Sequence, residues 1–452
     1  MSRPRVLVVC AEPVGERMAG PAIRSLELAR TLALRCDVTL AAPPPSAPGA
    51  ADVELLPAGL RDFDTLVEAA RSHDVVVAER LPPQLLRAVA ALPARYVADL
   101  YNPTPVEVME AVRAAPERSQ RRRRRIVAAA AVANCAVADF MICASERQRD
   151  FWLGLLASHG LIDLERYSGD PGFRSVIDVV PFGIPAEPPR PGSDPPLKAA
   201  LPGVGAEDQL LLWGGGIWNW LDPLTPIRAV ERLRSRRPAV HLLFAGVERP
   251  GALAADELSA ARAAREEARR LGLEGSRVHF SGWLPYDRRH EYLLGSDLGV
   301  SAHSDHLEAR LSFRTRVLDY LWAGLPVVAT RGDSLSELVE REGLGRAVDP
   351  HDDEAFAEAC LELLDDGPAR SSAVEALRRV APSFVWERAA EPLLRFCLEY
   401  ERRPPRPAPG LLLARATLGE YPRLLARAHE EHGPVEVVRK LGRNLARAVR
   451  RA

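Results

Sequence analysis

Short apolar runs recur along this 452-residue chain, each followed by a segment with helical spacing, and that alternation restricts the fold more than any other feature. The first series is Arg5–Cys10, Val38–Ala41, Asp74–Ala78, Arg95–Asp99 and Phe140–Ala144, with Val176–Pro185 closing it. The second is Gln209–Trp213, His241–Gly246, Val278–Phe280, Asp297–Ala302 and Val327–Ala329. Strands that alternate with helices imply parallel sheets covered on both faces. Between the series, the proline-rich stretch around EPPRPGSDPPLK reads as a linker. The expectation is an α/β chain of two Rossmann-like, doubly wound domains, at 1–190 and 200–400, with a helical tail at 409–452. Ligands of such sheets bind beyond the carboxyl ends of the strands, so the informative loops are those that follow each run.

The stretch SFRTRVLDYLWAGLPVVAT, Ser312 to Thr330, holds the densest signal. Val317, Leu318, Leu321 and Trp322 recur at helical spacing, and Gly324 and Pro326 stop the helix before a short buried strand. Arg314 and Arg316 therefore stand at a helix N-terminus, where unpaired N–H groups and the backbone dipole favour an anion. Guanidinium forks match phosphate oxygens in pairs, which makes this a candidate diphosphate site. Two solvated charges on an ordinary surface helix are the alternative.

Helix, Gly-x-Pro break and strand, LDYLWAGLPVVAT, resemble the sugar-nucleotide site of the retaining glycosyltransferases of family 4, or group 1, whose fold is GT-B. In that family a Glu-x7-Glu motif leads into the helix and the second Glu holds the ribose hydroxyls. The resemblance gives Asp319 that place and gives Glu308, at a longer spacing, the contact with the sugar. It also implies that the Gly-rich loop at Gly20, where backbone N–H groups of Gly20 to Ile23 can point into the cleft, closes over the donor phosphates and the acceptor, with an ordinary strand-to-helix turn as the alternative. Asp99, where family members often carry His, becomes a group to orient or deprotonate an acceptor hydroxyl, with a loop-stabilising carboxylate as the other account.

Gly214, Gly215 and Gly216 follow a strand and precede a helix, so backbone there can approach a ligand closely. The family usually follows with an Arg and a Lys that clamp the diphosphate. This chain has Trp218, Asn219, Trp220 and Asp222, and Arg314 and Arg316 are the cations left to supply that charge. Gly282, Trp283, Leu284 and Pro285 resemble the loop that reads the nucleobase through its backbone, and Trp283 or Tyr286 is placed to stack on the base or else to pack in the core. His303, Asp305, His306 and Glu308 are ligand types for a divalent ion, but no second cluster completes a site. The resemblance implies no metal and no cofactor, because cationic side chains and helix dipoles serve the leaving group.

A net charge of −1 does not suggest a nucleic-acid partner. Six scattered cysteines without a Cys-x-x-Cys pair read as reduced core residues of a cytoplasmic protein, and no apolar run has the length of a signal peptide or a membrane span. Arg118 and Arg121–Arg125 form a cationic run, and VVRKLGRNLARAVRR near the end has one apolar face ringed by arginines. Each suits an anionic membrane surface, and each also suits a solvated or packed face. The expected function is transfer of a sugar from a nucleoside-diphosphate sugar to a hydroxyl of a glycan, lipid-linked or small-molecule acceptor, in envelope polysaccharide or glycolipid assembly. A catalytically silent binding subunit, or another GT-B enzyme such as an epimerase, is the alternative.

Overall fold

The computed structural model describes residues 3–47, 53–113, 115–192, 197–247, 259–365 and 367–401. The tail expected at 409–452 lies outside the described residues, as does 248–258.

Seven strands form the first sheet: β1 Arg5–Val9, β2 Asp37–Ala42, β3 Glu54–Pro57, β4 Val75–Ala78, β5 Arg95–Asp99, β6 Phe140–Cys143 and β7 Ile177–Val179. Their order is β3-β2-β1-β4-β5-β6-β7 and every pairing is parallel. Six more form the second: β8 Gln209–Gly214, β9 Val240–Ala245, β10 Val278–Ser281, β11 Leu298–Ser301, β12 Val327–Thr330 and β13 Gly345–Val348. This sheet is also all parallel, in the order β10-β9-β8-β11-β12-β13. Strands with helices on both faces have no wet side, which is why β4, β6, β9, β11 and β12 are buried at every position. Two doubly wound domains around one cleft are the GT-B arrangement.

Sequence patterning missed β3 and β13. Strand β3 is an edge of four partly exposed residues and offers no apolar run. Strand β13 reads Gly-Arg-Ala-Val, and its glycine is there for space: a Cβ on Gly345 would stand 1.9 Å from the Val327 carbonyl oxygen. The six cysteines are free and buried.

Past Val380 the chain returns to the first domain. Ile184 and Val385 form a parallel bridge. The helices Trp386–Ala389 and Glu391–Leu398 follow. Phe396 stacks on Phe140 at 4.8 Å between ring centroids, and a Cβ on Gly183 would strike Trp386 at 2.6 Å. These contacts tie the two domains together at the edge of the cleft. No helix among the described residues is long and apolar enough to cross a membrane.

Candidate active site

Turns at the carboxyl ends of both sheets meet in one cavity of about 180 Å³. Met18 comes from the turn after β1 and Gly20 from the start of the helix that follows, Phe182 and Gly183 from beyond β7, Gly214–Gly216 from the end of β8 and the turn after it, Gly246 from the turn after β9, and Trp283 to Tyr286 from the loop after β10. Helix Arg316–Ala323 adds Arg316, Leu318 and Asp319.

Strand β8 ends in a turn that only glycine serves well. Gly215 takes φ +96, and Gly246 on the neighbouring turn takes φ +113 with its Cβ position 3.1 Å from Gly215 backbone. A Cβ on Gly216 would meet the indoles of Trp218 and Trp283 at 3.3 Å each. Tyr320 fixes this turn from beneath. Its hydroxyl accepts from the Gly214 N–H at 2.9 Å and lies 2.8 and 3.0 Å from the carbonyls of Leu212 and Val300.

Arg316 opens the helix and is buried, 9% exposed. Its guanidinium lies 4.3 Å from the Trp213 ring centroid, Nη2 donates to the Gly216 carbonyl at 3.0 Å, and Nη1 has no hydrogen-bond partner. Burial pulls its pKa down to about 10, with the Arg314 charge adding to the effect and Tyr320 opposing it. A buried guanidinium without a carboxylate is costly, and an arriving anion would offset that cost.

Three residues along from Arg316, Asp319 lines the cavity, and Arg289 donates from Nε to its Oδ1 at 3.2 Å. Burial raises the Asp319 carboxyl and the Arg289 charge opposes the rise. Arg289 is held in turn: Nη1 donates to the Tyr286 carbonyl at 2.8 Å, and the guanidinium sits 3.9 Å from the Tyr286 ring centroid and 4.7 Å from that of Trp322. Tyr286 thus gives a ring to Arg289, while Trp283 keeps its place at the cavity with its indole N–H donating to the Met18 carbonyl at 2.9 Å. Leu284 lines the cavity beside them.

Glu308, Arg314 and Asp99 do not line this cavity. Arg314 grips Glu308 in a buried fork, Nη2 to Oε2 at 2.7 Å and Nη1 to Oε1 at 3.2 Å, and the Ser312 hydroxyl donates to the same carboxylate. Arg314 is therefore spent on a protein carboxylate, and Arg316 is the one of the two that reaches the cavity. Asp99 receives Arg24 in a second buried fork, Nε at 2.6 Å and Nη2 at 3.0 Å, and Arg24 continues to the carbonyls of Pro181 and Val180. Burial, with Asp99 nearby, raises the Glu79 carboxyl to about 7, and burial with Glu308 opposite raises Glu107 to about 7. Sequence reasoning found neither, because a lone Glu after a strand or on a short helix carries no pattern.

Gln148 joins the halves behind these groups. Fully buried, it donates to the carbonyls of Tyr101 at 2.7 Å and Leu311 at 2.9 Å. Nearby, Ser145 caps the helix Glu146–Ser158, Arg147 donates to the Gly332 carbonyl and pairs with Glu337, and Arg149 stays within its own domain on Ile177. His303 lies 3.0 Å from Asp333, and His306 caps the helix Leu307–Leu311 through Nδ1, so both are occupied in holding loops. Among the described residues no three His, Cys, Asp or Glu side chains are grouped to hold a metal ion.

Residues 209–366 match the family model described as glycosyl transferases group 1. A D-inositol 3-phosphate glycosyltransferase of Rhodococcus opacus is 30% identical over 233 residues, 51% of this chain and 49% of that protein. The corresponding enzyme of Acidothermus cellulolyticus is 28% identical over 258 residues, 57% of this chain and 54% of that protein. The chain spans about half the length of the curated relatives it matches. Among solved structures, HepE of Anabaena in complex with UDP and glucose superposes with a TM-score of 0.62 at 15% identity, covering 88% of this chain and 100% of that one. Sucrose-phosphate synthase of Thermosynechococcus elongatus gives 0.61 at 18% identity, covering 87% and 98%. At these identities the superpositions speak to the fold.

Proposed function

We propose that this chain, which carries a group 1 glycosyl transferase domain over residues 209–366, is a retaining glycosyltransferase that takes its sugar from a nucleoside diphosphate. The observation that carries the proposal is Arg316, a buried guanidinium with no carboxylate partner, set beside three glycines whose backbone a ligand can approach. Negative charge grows on the diphosphate as the bond from its oxygen to the sugar C1 breaks, and Arg316 with the glycine turn would stabilise that charge. The acceptor oxygen bonds to C1 from the same face, and its proton passes to the departing phosphate oxygen. Glu308, oriented by Arg314 and Ser312, is assigned the sugar, Asp319 the ribose and Asp99, through Arg24, the shaping of the acceptor side. The HepE structure holds UDP and glucose, which supports a nucleotide-sugar donor. No metal or cofactor enters this scheme.

The acceptor is assigned to the first domain. Arg118, Arg122 and Arg123 line a surface groove with Ile126 on the helix Glu117–Val137, and this cationic face suits a lipid-linked acceptor at an anionic membrane during envelope polysaccharide or glycolipid assembly. Binding and hydrolysis of UDP-, GDP- and TDP-sugars by the purified chain, repeated with Arg316→Met, test the donor assignment. The expected result is one preferred nucleotide, bound at least ~30-fold more weakly by the variant, which corresponds to the ~2 kcal/mol of a charge-assisted contact. Binding undiminished in the variant would refute the assignment. A silent binding subunit is favoured by the capture of Arg314 by Glu308, which leaves one cavity arginine without a carboxylate, and turnover by the chain alone would eliminate that reading.

A further inference from the structure

The carboxyl end of the first sheet gathers more carboxylate than it has arginine to hold. Strands β1, β4 and β5 are neighbours, with Val9 beside Ala78 and Ala78 beside Ala98. Glu12 therefore follows β1, Glu79 follows β4 directly and Asp99 ends β5, while Glu107 joins them from the helix Thr104–Ala111. Asp99 and Glu308 are each gripped by a buried arginine. Glu79 and Glu107 are half-buried, and neither carboxylate makes a hydrogen bond or an ion pair with a described residue. Two cations act on them from a distance. Exposed Arg80 reaches both, and Arg314, already held by Glu308, reaches Glu107.

Tyr101 points to a ligand independently of these charges. It is 6% exposed, its ring is set edge-on to Phe182 at 5.2 Å between centroids, and the Arg24 guanidinium lies 5.0 Å from its centroid. Its hydroxyl has no hydrogen-bond partner among the described residues and lies 3.9 Å from the Cβ position of Gly20, which lines the cavity. Burial first, then the charges of Glu79, Glu107 and Asp99, push this phenol well above its usual range, with Arg24 opposing, so the hydroxyl stands among those carboxylates and keeps its proton. A buried hydroxyl ordinarily has a partner, and a carboxylate withdrawn from water without a cation is costly. A molecule with a hydroxyl beside a protonated amine satisfies both at once. Among the described residues no three such side chains are grouped to hold a metal ion, so an organic cation is the fitting one. We propose that Glu79 and Glu107 take a protonated amine of the acceptor and Tyr101 an adjoining hydroxyl, so that the acceptor unit is an amino sugar or an aminocyclitol. An acetylated amine has no charge to offer, and a phosphate would meet two uncompensated carboxylates, so both are disfavoured. The inference rests on the assignment of the acceptor to the first domain and makes no use of the donor site.

The test is equilibrium binding of glucosamine, glucose and N-acetylglucosamine to the full chain, followed by ligand-observed NMR because single sugars bind weakly. The three differ at one position, as amine, hydroxyl and acetamide. The same titrations are made with Glu79→Gln, Glu107→Gln, the double variant and Tyr101→Phe, and the ratio of glucosamine to glucose affinity is taken within each protein, so a loss of folded chain cancels. The expected result is a ratio of about tenfold or more in the wild type, falling below about threefold in the double variant, with the single variants between them. Tyr101→Phe is expected to weaken glucosamine and glucose by a similar factor and to keep the ratio. Equal binding of the three sugars by the wild type overturns the amine assignment, as does binding of none of them. A preference for glucosamine that survives the double variant overturns the part given to Glu79 and Glu107. Nucleotide binding by the same samples decides the donor reading separately.

Discussion

Trp283 donates its indole N–H to the Met18 carbonyl at 2.9 Å, across the cleft from one domain to the other. A second bond runs beside it, from the Tyr286 N–H to the Glu16 carbonyl at 2.7 Å. The turn after β1 is thereby pinned over a cavity of about 180 Å³. That is smaller than the roughly 300–1,000 Å³ of ordinary ligand pockets, and the proposed nucleotide-sugar donor would gain room if the turn lifted or the domains parted. Trp283→Phe keeps the ring and removes the indole donor. Small-angle scattering of the unliganded variant is expected to show a larger radius of gyration than wild type, and the donor KM to change more than kcat. An unchanged scattering profile would show that the bond does not hold the closed form.

The Glu308–Arg314 fork makes a prediction about stability in which the double variant matters most. Arg314→Met leaves a buried carboxylate without its cation, a loss of ~3–5 kcal/mol and on the order of 10 °C in Tm for domains of this size. Glu308→Gln with Arg314→Met removes both charges and is expected to recover most of that loss. If the double variant melts no higher than Arg314→Met, the pair does not act as a unit. Glu308→Gln alone is expected to lower kcat by at least ~100-fold if the carboxylate acts on the reacting sugar, a barrier change of ~2.7 kcal/mol.

Glu107 sets a pH dependence whose sign is opposite to that of a paired carboxylate. Burial, with the Glu308 charge adding and Arg314 and Arg80 opposing, raises it from 4.5 to about 7. Between those values the folded chain holds the proton that the unfolded chain has lost, so this group's contribution falls as pH rises through the window and stays low above it. Glu107→Gln abolishes the titration. Its Tm is expected to match wild type near pH 4.5 and to exceed it by a few °C at pH 8, about 1 kcal/mol after screening of this half-buried group. A Tm difference independent of pH would contradict the assignment.

The cationic groove on the first domain predicts charge-selective membrane binding. Arg118, Arg122 and Arg123 each contribute roughly fivefold to adsorption on an anionic surface. Changing all three to Gln is expected to weaken sedimentation with phosphatidylglycerol vesicles by on the order of 100-fold, and to leave the weak binding to phosphatidylcholine vesicles unchanged. Equal binding of the variant and wild type to anionic vesicles would move any membrane contact elsewhere.

Most strands were legible because a buried parallel strand is a short unbroken apolar run, and β5 begins and ends at Arg95 and Asp99 as its residues suggest. Legibility failed where a strand is justified by something other than its own hydrophobicity, as at Gly345, whose lack of a side chain admits the Val327 carbonyl. The candidate site divides in the same way. Gly214–Gly216, Arg316 and Asp319 stand in local patterns of strand, turn and helix start, and all of them line the cavity. Arg289 and Gln148 gain their meaning from partners 30 and 163 residues away, and nothing near them in the sequence announces those partners. Arg314 shows the limit from the other side. The local pattern places it beside Arg316 at the head of the helix, but only the fold shows that Glu308 claims it.

Tyr320 stands with its ring against Gly299, where a Cβ would lie 2.4 Å from two ring carbons, while its hydroxyl spans Gly214, Leu212 and Val300. The two positions are interlocked as a bolt and its slot. Any side chain at 299 demands a smaller residue at 320, and any smaller residue at 320 unfastens the glycine turn, so neither can be exchanged in a single step without loss. An engineer altering the proposed donor site would do better to leave this pair alone and to vary residues 283–286 and 289, which border the same cavity without holding the second sheet together.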